Sequence, residues 1–181
     1  MRRLLRARLD YQLGMDGERQ TAQALQPLLA EGYELFHDLE FTDPTGKHFN
    51  IDHVLLGPAG VVAIETRARS KDAAGKGSQS TKVRYDGQKL IYPNVTETHG
   101  LEQALANAKF LSRELTSHTG EPVFVRPAIS LPGWFVDQLA KDGSPAVHNP
   151  EMLRSWVAQL PPGMMDPAQQ NRIRGYLAKE R

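Results

Sequence analysis

Two apolar runs separated by a Gly/Pro break mark the centre of the chain. Ile51–Leu56 and Val61–Thr66 flank Gly57-Pro58-Ala59-Gly60, and short β-branched runs punctuated in this way predict a β-hairpin. Val54, Leu55, Leu56, Val61, Val62 and Ile64 are nearly continuous instead of alternating, which predicts strands buried on both faces. Upstream, Ala22, Leu25, Leu28 and Leu29 recur at helical spacing and predict a helix over 16–30, with Asp16 as N-cap and Gly32 as stop. Tyr33–Phe41 alternates as a strand, with Tyr33, Leu35, His37, Leu39 and Phe41 on one face and Glu34, Phe36, Asp38 and Glu40 on the other.

Downstream, Ser70–Thr81 is polar, Gly/Ser-rich and without periodicity, and predicts a loop leading out of the hairpin. Asp86-Gly87 between Val83–Tyr85 and Lys89–Tyr92 signals a second hairpin. A helix over 99–117, capped by Thr96 or Thr98, has the buried stripe Leu101, Leu105, Ala108, Leu111 and Leu115. Val123–Ile129 reads as a buried strand, Trp134 and Phe135 as core aromatics, and Val147 as the start of a short last strand. Asn149-Pro150 and Asp166-Pro167 each open a helix.

An acidic residue sits near the far end of each strand of the central hairpin: Asp52 and Glu65. With an even-numbered loop they face each other, their Cβ atoms about 4.5–5.5 Å apart, where like charges repel. Side-chain alternation puts Arg67 on the face of Glu65 and turns Thr66 away. Something must hold two such carboxylates: either Arg67 in an ion pair or a divalent cation.

Composition bounds these alternatives. The chain has 181 residues, 40% hydrophobic and 24% charged, which fits one soluble globular domain. The absence of cysteine excludes disulfides and thiolate-bound metal. No secretory signal and no apolar run of about 18–20 residues is present. The expected location is cytoplasmic, with membrane association only through a tether outside this chain. The net charge of +1 gives no global basic field, but Arg2, Arg3, Arg6 and Arg8 cluster at the start. Arg67, Arg69, Lys71, Lys76, Lys82, Arg84 and Lys89 follow the hairpin with only Asp72 and Asp86 between them. Basic segments beside an acidic site suit a phosphate backbone, and Arg69, Lys71, Lys82 and Arg84 are the candidate nucleic-acid contacts.

Asp52, followed on the next strand by Glu65-Thr66-Arg67, resembles the metal site of the restriction-endonuclease-like PD-(D/E)xK superfamily. Asn50-Ile51-Asp52-His53-Val54, Gly60-Val61 and Ile64-Glu65-Thr66 are similar to the nuclease-related domain (NERD) family within it. Gly17-Glu18 and Gln103 match further positions of that family, and Leu131-Pro132-Gly133-Trp134 resembles a tail seen in some members. The resemblance implies an α/β restriction-endonuclease-like core, a central mixed β-sheet flanked by helices, over residues 16–150. Residues 1–15 would be a basic lead-in and 151–181 a helical extension packed on the same domain.

The resemblance further implies a Mg²⁺- or Mn²⁺-dependent nuclease acting on DNA, or RNA. Asp52 and Glu65 would hold the metal with the Thr66 carbonyl, and Arg67 would stand where the family has Lys. Glu18, which by itself reads as a first-turn carboxylate favoured by the helix dipole, would join the site. Gln103, by itself a surface residue, would face it. His53 is expected to point away from Asp52 as a core or surface residue. Arg cannot serve as a base as a buried Lys can. A nuclease-fold module that binds nucleic acid or protein without cutting therefore competes with the enzyme, and a membrane-tethered soluble portion is a third reading.

Overall fold

The computed structural model describes residues 2–70, 81–140, 143–163 and 165–180. The predicted loop at Ser70–Thr81 falls largely on 71–80, outside the described residues, and Lys71 and Lys76 with it.

A long helix, α1 (Arg2–Leu25), leads into a 3₁₀ turn at Gln26–Glu31 that ends on left-handed Gly32. Three antiparallel strands follow: β1 (Glu34–Thr42), β2 (His48–Gly57) and β3 (Gly60–Thr66). The chain then leaves the sheet through β4 (Lys82–Tyr85), β5 (Leu90–Ile91) and β6 (Thr96–Glu97). It returns through helix α2 (His99–Thr119) to β7 (Val125–Ser130), which lies parallel to β3. After β8 (Phe135–Gln138), strand β9 (Ala146–His148) adds in parallel to β7, and α3 (Pro150–Ala158) and α4 (Pro167–Leu177) complete the chain.

The main sheet thus has the mixed order β1-β2-β3-β7-β9, and a smaller sheet has the order β6-β5-β4-β8. Helices cover both faces of the main sheet, so its strands bury both sides. On one face α2 and α4 place Ala108, Leu111, Leu115, Ile173 and Leu177 against Val54, Leu56, Val61 and Ala63. On the other, α1, the 3₁₀ turn and α3 place Leu25, Leu28, Leu153 and Val157 against Leu55, Val62 and Ile64. The smaller sheet turns Val83, Tyr85 and Leu90 inward onto Leu101, Ala104, Ile129 and Trp134. This α/β architecture with a mixed central sheet flanked by helices is the one expected.

Several expectations need correction. Helix α1 runs unbroken from Arg2, so residues 1–15 are no separate lead-in, and Asp16 lies inside the helix, bonded at 2.6 Å to Arg19. On β1 the alternation reverses at Asp38. Leu35 packs on one face, but Phe36, Leu39 and Phe41 share the other, because Asp38 takes a left-handed backbone with φ 49°. Leu105 is 42% exposed; Ala104 takes its place in the buried stripe. Trp134 is buried, but Phe135 is 57% exposed at the start of β8. Tyr85 and Tyr92 are both buried, Tyr85 donating to the Pro145 carbonyl and Tyr92 packed edge-on to Trp134.

The revised stripe of α2 is testable. Leu111→Ala empties a fully buried position and is expected to lower the unfolding free energy by about 2–5 kcal/mol. Leu105→Ala is expected to change it by less than about 0.5 kcal/mol. Urea unfolding of the two variants beside the parent measures both.

Candidate active site

The β2–β3 hairpin has the two-residue loop Pro58-Ala59 between paired Gly57 and Gly60, and the even register predicted from sequence continues to His53↔Ile64. There the backbone ladder stops. Asp52, the next residue, takes the Thr66 N–H on its carboxylate at 2.7 Å. Across the other edge of β2, His37 pairs with His53 and Leu39 with Ile51, leaving Asp38 opposite Asp52 without a ladder bond.

Asp52 and Glu65 are 7% and 6% exposed. Glu65 faces α2, where Asn107 Nδ2 donates to its Oε2 at 3.3 Å. One turn earlier on the same helix, Gln103 Oε1 accepts from Arg67 Nη2 at 2.8 Å. Arg67 therefore does not bridge the two carboxylates. Its Nε lies 3.7 Å from Glu65 Oε1, beyond hydrogen-bond range, and is buried without a hydrogen bond. Gly100 makes room for it: a Cβ there would stand 3.0 Å from Arg67 Nε.

On the opposite side Thr66 turns toward α1. Its Oγ1 is 3.4 Å from Thr21 Oγ1, which lies 2.8 Å from Ser130 Oγ on β7. Glu18 enters from α1, which approaches closely because of Gly17, where a Cβ would stand 2.7 Å from Ala68 Cβ. Four segments that are distant in sequence thus meet at one end of the hairpin.

The electrostatics follow from burying acids together. Glu65 is held well above the usual carboxylate range by burial, then by the Asp52 charge; Arg67 offsets only part of this. Asp52 is also raised, mainly by burial, despite its bond from Thr66, with Asp38 adding repulsion. Glu18 is pushed up to about 7 by desolvation and by the charges of Asp52 and Asp38. These acids are near enough to repel. Yet among the described residues no three His, Cys, Asp or Glu side chains gather into a ready-made metal cage. A cation here would have two buried protein carboxylates, with the Thr66 carbonyl, water or substrate for its remaining positions, a donor set that suits Mg²⁺ or Mn²⁺.

The other expected residues divide. His53 is buried, 2.9 Å from His37 Nδ1 to Nδ1, and burial holds it neutral with a pKa lowered to about 4. Arg69 is committed elsewhere: it lies 3.4 Å from Glu97 and over the Tyr92 ring. Lys82 and Arg84 are exposed on the outer face of the smaller sheet, Lys82 above the Phe135 ring. Two participants, Asn107 and Asp38, escape the sequence analysis. A single Asn on a helix carries no signal of its own. Asp38 was assigned to a strand face by an alternation that its positive φ breaks.

A mixed α/β sheet with acidic strand ends gathered beside a cation is consistent with a nuclease-like core. A sequence profile of the nuclease-related domain (NERD) family matches residues 13–132, and the chain belongs to that family. No curated protein and no solved structure matches it.

Two outcomes follow. A carboxylate raised by folding keeps its proton longer in the folded chain, so its contribution to stability is complete at low pH and is lost as pH rises through the folded pKa. In EDTA, Glu65→Gln is therefore expected to match the parent near pH 4.5. By pH 8 it should exceed the parent by about 1–3 kcal/mol, read by thermal melts across pH. Gly17→Ala should lower stability by up to about 2 kcal/mol, because overpacking against Ala68 costs about 1–3 kcal/mol against a helix-propensity gain of about 1; chemical denaturation checks it.

Proposed function

We propose that the protein is a metal-dependent nuclease that hydrolyses phosphodiester bonds of DNA, with RNA as the alternative substrate. The observation that carries the reading is the uncompensated charge at the hairpin end. Asp52 and Glu65 are buried, repel each other, and are served by one guanidinium that hydrogen-bonds Gln103 instead of either acid. Buried acids whose ionisation is opposed by burial and by a like charge are candidates for a functional site.

Asp52 and Glu65 would hold Mg²⁺ or Mn²⁺, with the Thr66 carbonyl as a third donor. Such a cation supplies charge neutralisation at the phosphoryl oxygens and lowers the pKa of water.

The chain's own residues account for the remaining tasks. An arginine does not serve as a base, so the role of Arg67 is to face the phosphate with planar donors and stabilise charge that builds on the equatorial oxygens. Gln103 fixes the guanidinium from α2, and Asn107 fixes the Glu65 carboxylate from the next turn. Glu18, with a pKa near 7, is matched to accept a proton from the attacking water at neutral pH. The water oxygen bonds to phosphorus as the bond to the leaving oxygen breaks, and solvent protonates the leaving oxygen.

A second reading is favoured by one observation, the Arg at position 67 where the family has Lys: a nuclease-fold module that binds nucleic acid or protein without cutting. Plasmid nicking separates the two. The parent should cut with Mg²⁺ or Mn²⁺ and stop in EDTA, and Asp52→Ala should lose at least about 100-fold in rate. No cleavage with any divalent metal would favour the binding module.

A further inference from the structure

The site opens on its α2 side into a cleft of about 510 Å³ that none of the expected nucleic-acid residues lines. One wall is the β1–β2 turn, with Asp43, Pro44, Lys47 and Phe49; the other is the outer face of α2, from His99 to Arg113. Gln103 and Asn107 belong to that lining, and they are the side chains that hold Arg67 and Glu65. The cleft is therefore continuous with the candidate active site through two amides.

Its lining offers an anion two exposed cations. Lys47 and Arg113 are exposed, and neither their side chains nor His99 form an ion pair among the described residues. Against them stand Asp43 and Glu102. Asp43 uses its Oδ1 within its own turn, accepting from the Thr45 N–H at 2.8 Å, the Thr45 hydroxyl at 2.6 Å and the Lys47 N–H at 3.0 Å. Asp43 keeps its charge and attracts Lys47, so acids and cations are equal in number here, and it is the junction with the candidate active site that points to a phosphodiester. Phe49 and Phe110 give the cleft an apolar wall, their rings packed edge to face at 5.0 Å.

Resting on the nuclease reading above, we infer that this cleft holds the phosphodiester backbone beside the scissile position, with Lys47 and Arg113 against its phosphates. Gln103 and Asn107 sit between the bound strand and the two site residues they orient. The strand then leaves the site along α2, on a different surface from the Lys82 and Arg84 face of the smaller sheet.

The test is binding of a fluorescein-labelled 20-mer, single-stranded and duplex, by anisotropy in EDTA over a salt series. The parent is compared with Lys47→Ala/Arg113→Ala, with Lys82→Ala/Arg84→Ala, and with Lys179→Ala, an exposed lysine on the C-terminal side of α4. Unchanged melting temperatures show that each variant is folded. The inference expects the cleft double variant to bind at least tenfold more weakly at 0.15 M salt. Its slope of log K against log salt should be shallower by about 1.8 on duplex or about 1.4 on single strand, while Lys179→Ala matches the parent.

Unchanged binding by the cleft variant would overturn the inference, as would a loss confined to Lys82→Ala/Arg84→Ala, or a parent that does not bind either oligonucleotide. Cleavage is read separately on plasmid. A parent that cuts while the cleft variant keeps its affinity refutes the cleft alone. A parent that binds through the cleft but does not cut refutes the enzyme reading alone.

Discussion

The β2–β3 ladder ends where Asp52, and not a backbone carbonyl, receives the Thr66 N–H, and the geometry of the site depends on that substitution. A carboxylate in the place of a ladder bond fixes its own orientation and brings Glu65 beside it within the apolar sandwich. It leaves β3 free to continue along β7, where Arg67 N–H reaches the Ser130 carbonyl at 2.9 Å. Each helix then attaches through a different chemistry. Helix α1 docks through the absent Cβ of Gly17 and a chain of three hydroxyls, and α2 through two amides one turn apart. The apolar strands on either side hold this end of the hairpin rigid against its own repulsion, much as strained or destabilised groups persist where the surrounding fold over-determines them.

Arg67 takes its meaning from the same geometry. An arginine that chelated both acids would be a structural ion pair, and removing it would leave two buried charges stranded. Its guanidinium is instead tied to a neutral amide and packed along the start of α2 over Gly100. It therefore contributes positive potential to the acids while keeping most of its donors uncommitted to either.

What could be read from sequence and what could not divides along physical lines. The central hairpin was legible because its register follows from a Gly/Pro loop and continuous β-branched runs, both local in sequence. So were the helix starts at Asn149 and Asp166, whose side chains accept the Met152 and Gln169 N–H groups as capping residues do. Asp38 was not legible, because face assignment by alternation assumes extended backbone at every residue. Leu105 and Phe135 failed for another reason. Hydrophobicity identifies residues able to be buried, and only the tertiary arrangement decides which of them are covered. Asn107 and Gln103 are alike in sequence, and Gln103 was found only through family resemblance. The continuity of α1 was not legible, because residues 8–12 are exposed and carry no apolar period into the stretch from Asp16.

The region shared with the NERD family stops at residue 132, but the sheet does not. Strand β9 pairs with β7 through Ile129↔Val147, and Leu153, Val157, Ile173 and Leu177 are each fully buried, closing opposite faces of the same sheet. The loop after α3 even seals the hairpin turn, where Gly163 N–H reaches the Pro58 carbonyl at 2.7 Å. The unit of inheritance is thus shorter than the unit of folding. Fusions or excisions drawn at the family boundary would strip strand β9 and one helix from each face of the sheet that holds the acids, so the piece that packs as a unit extends past the family match.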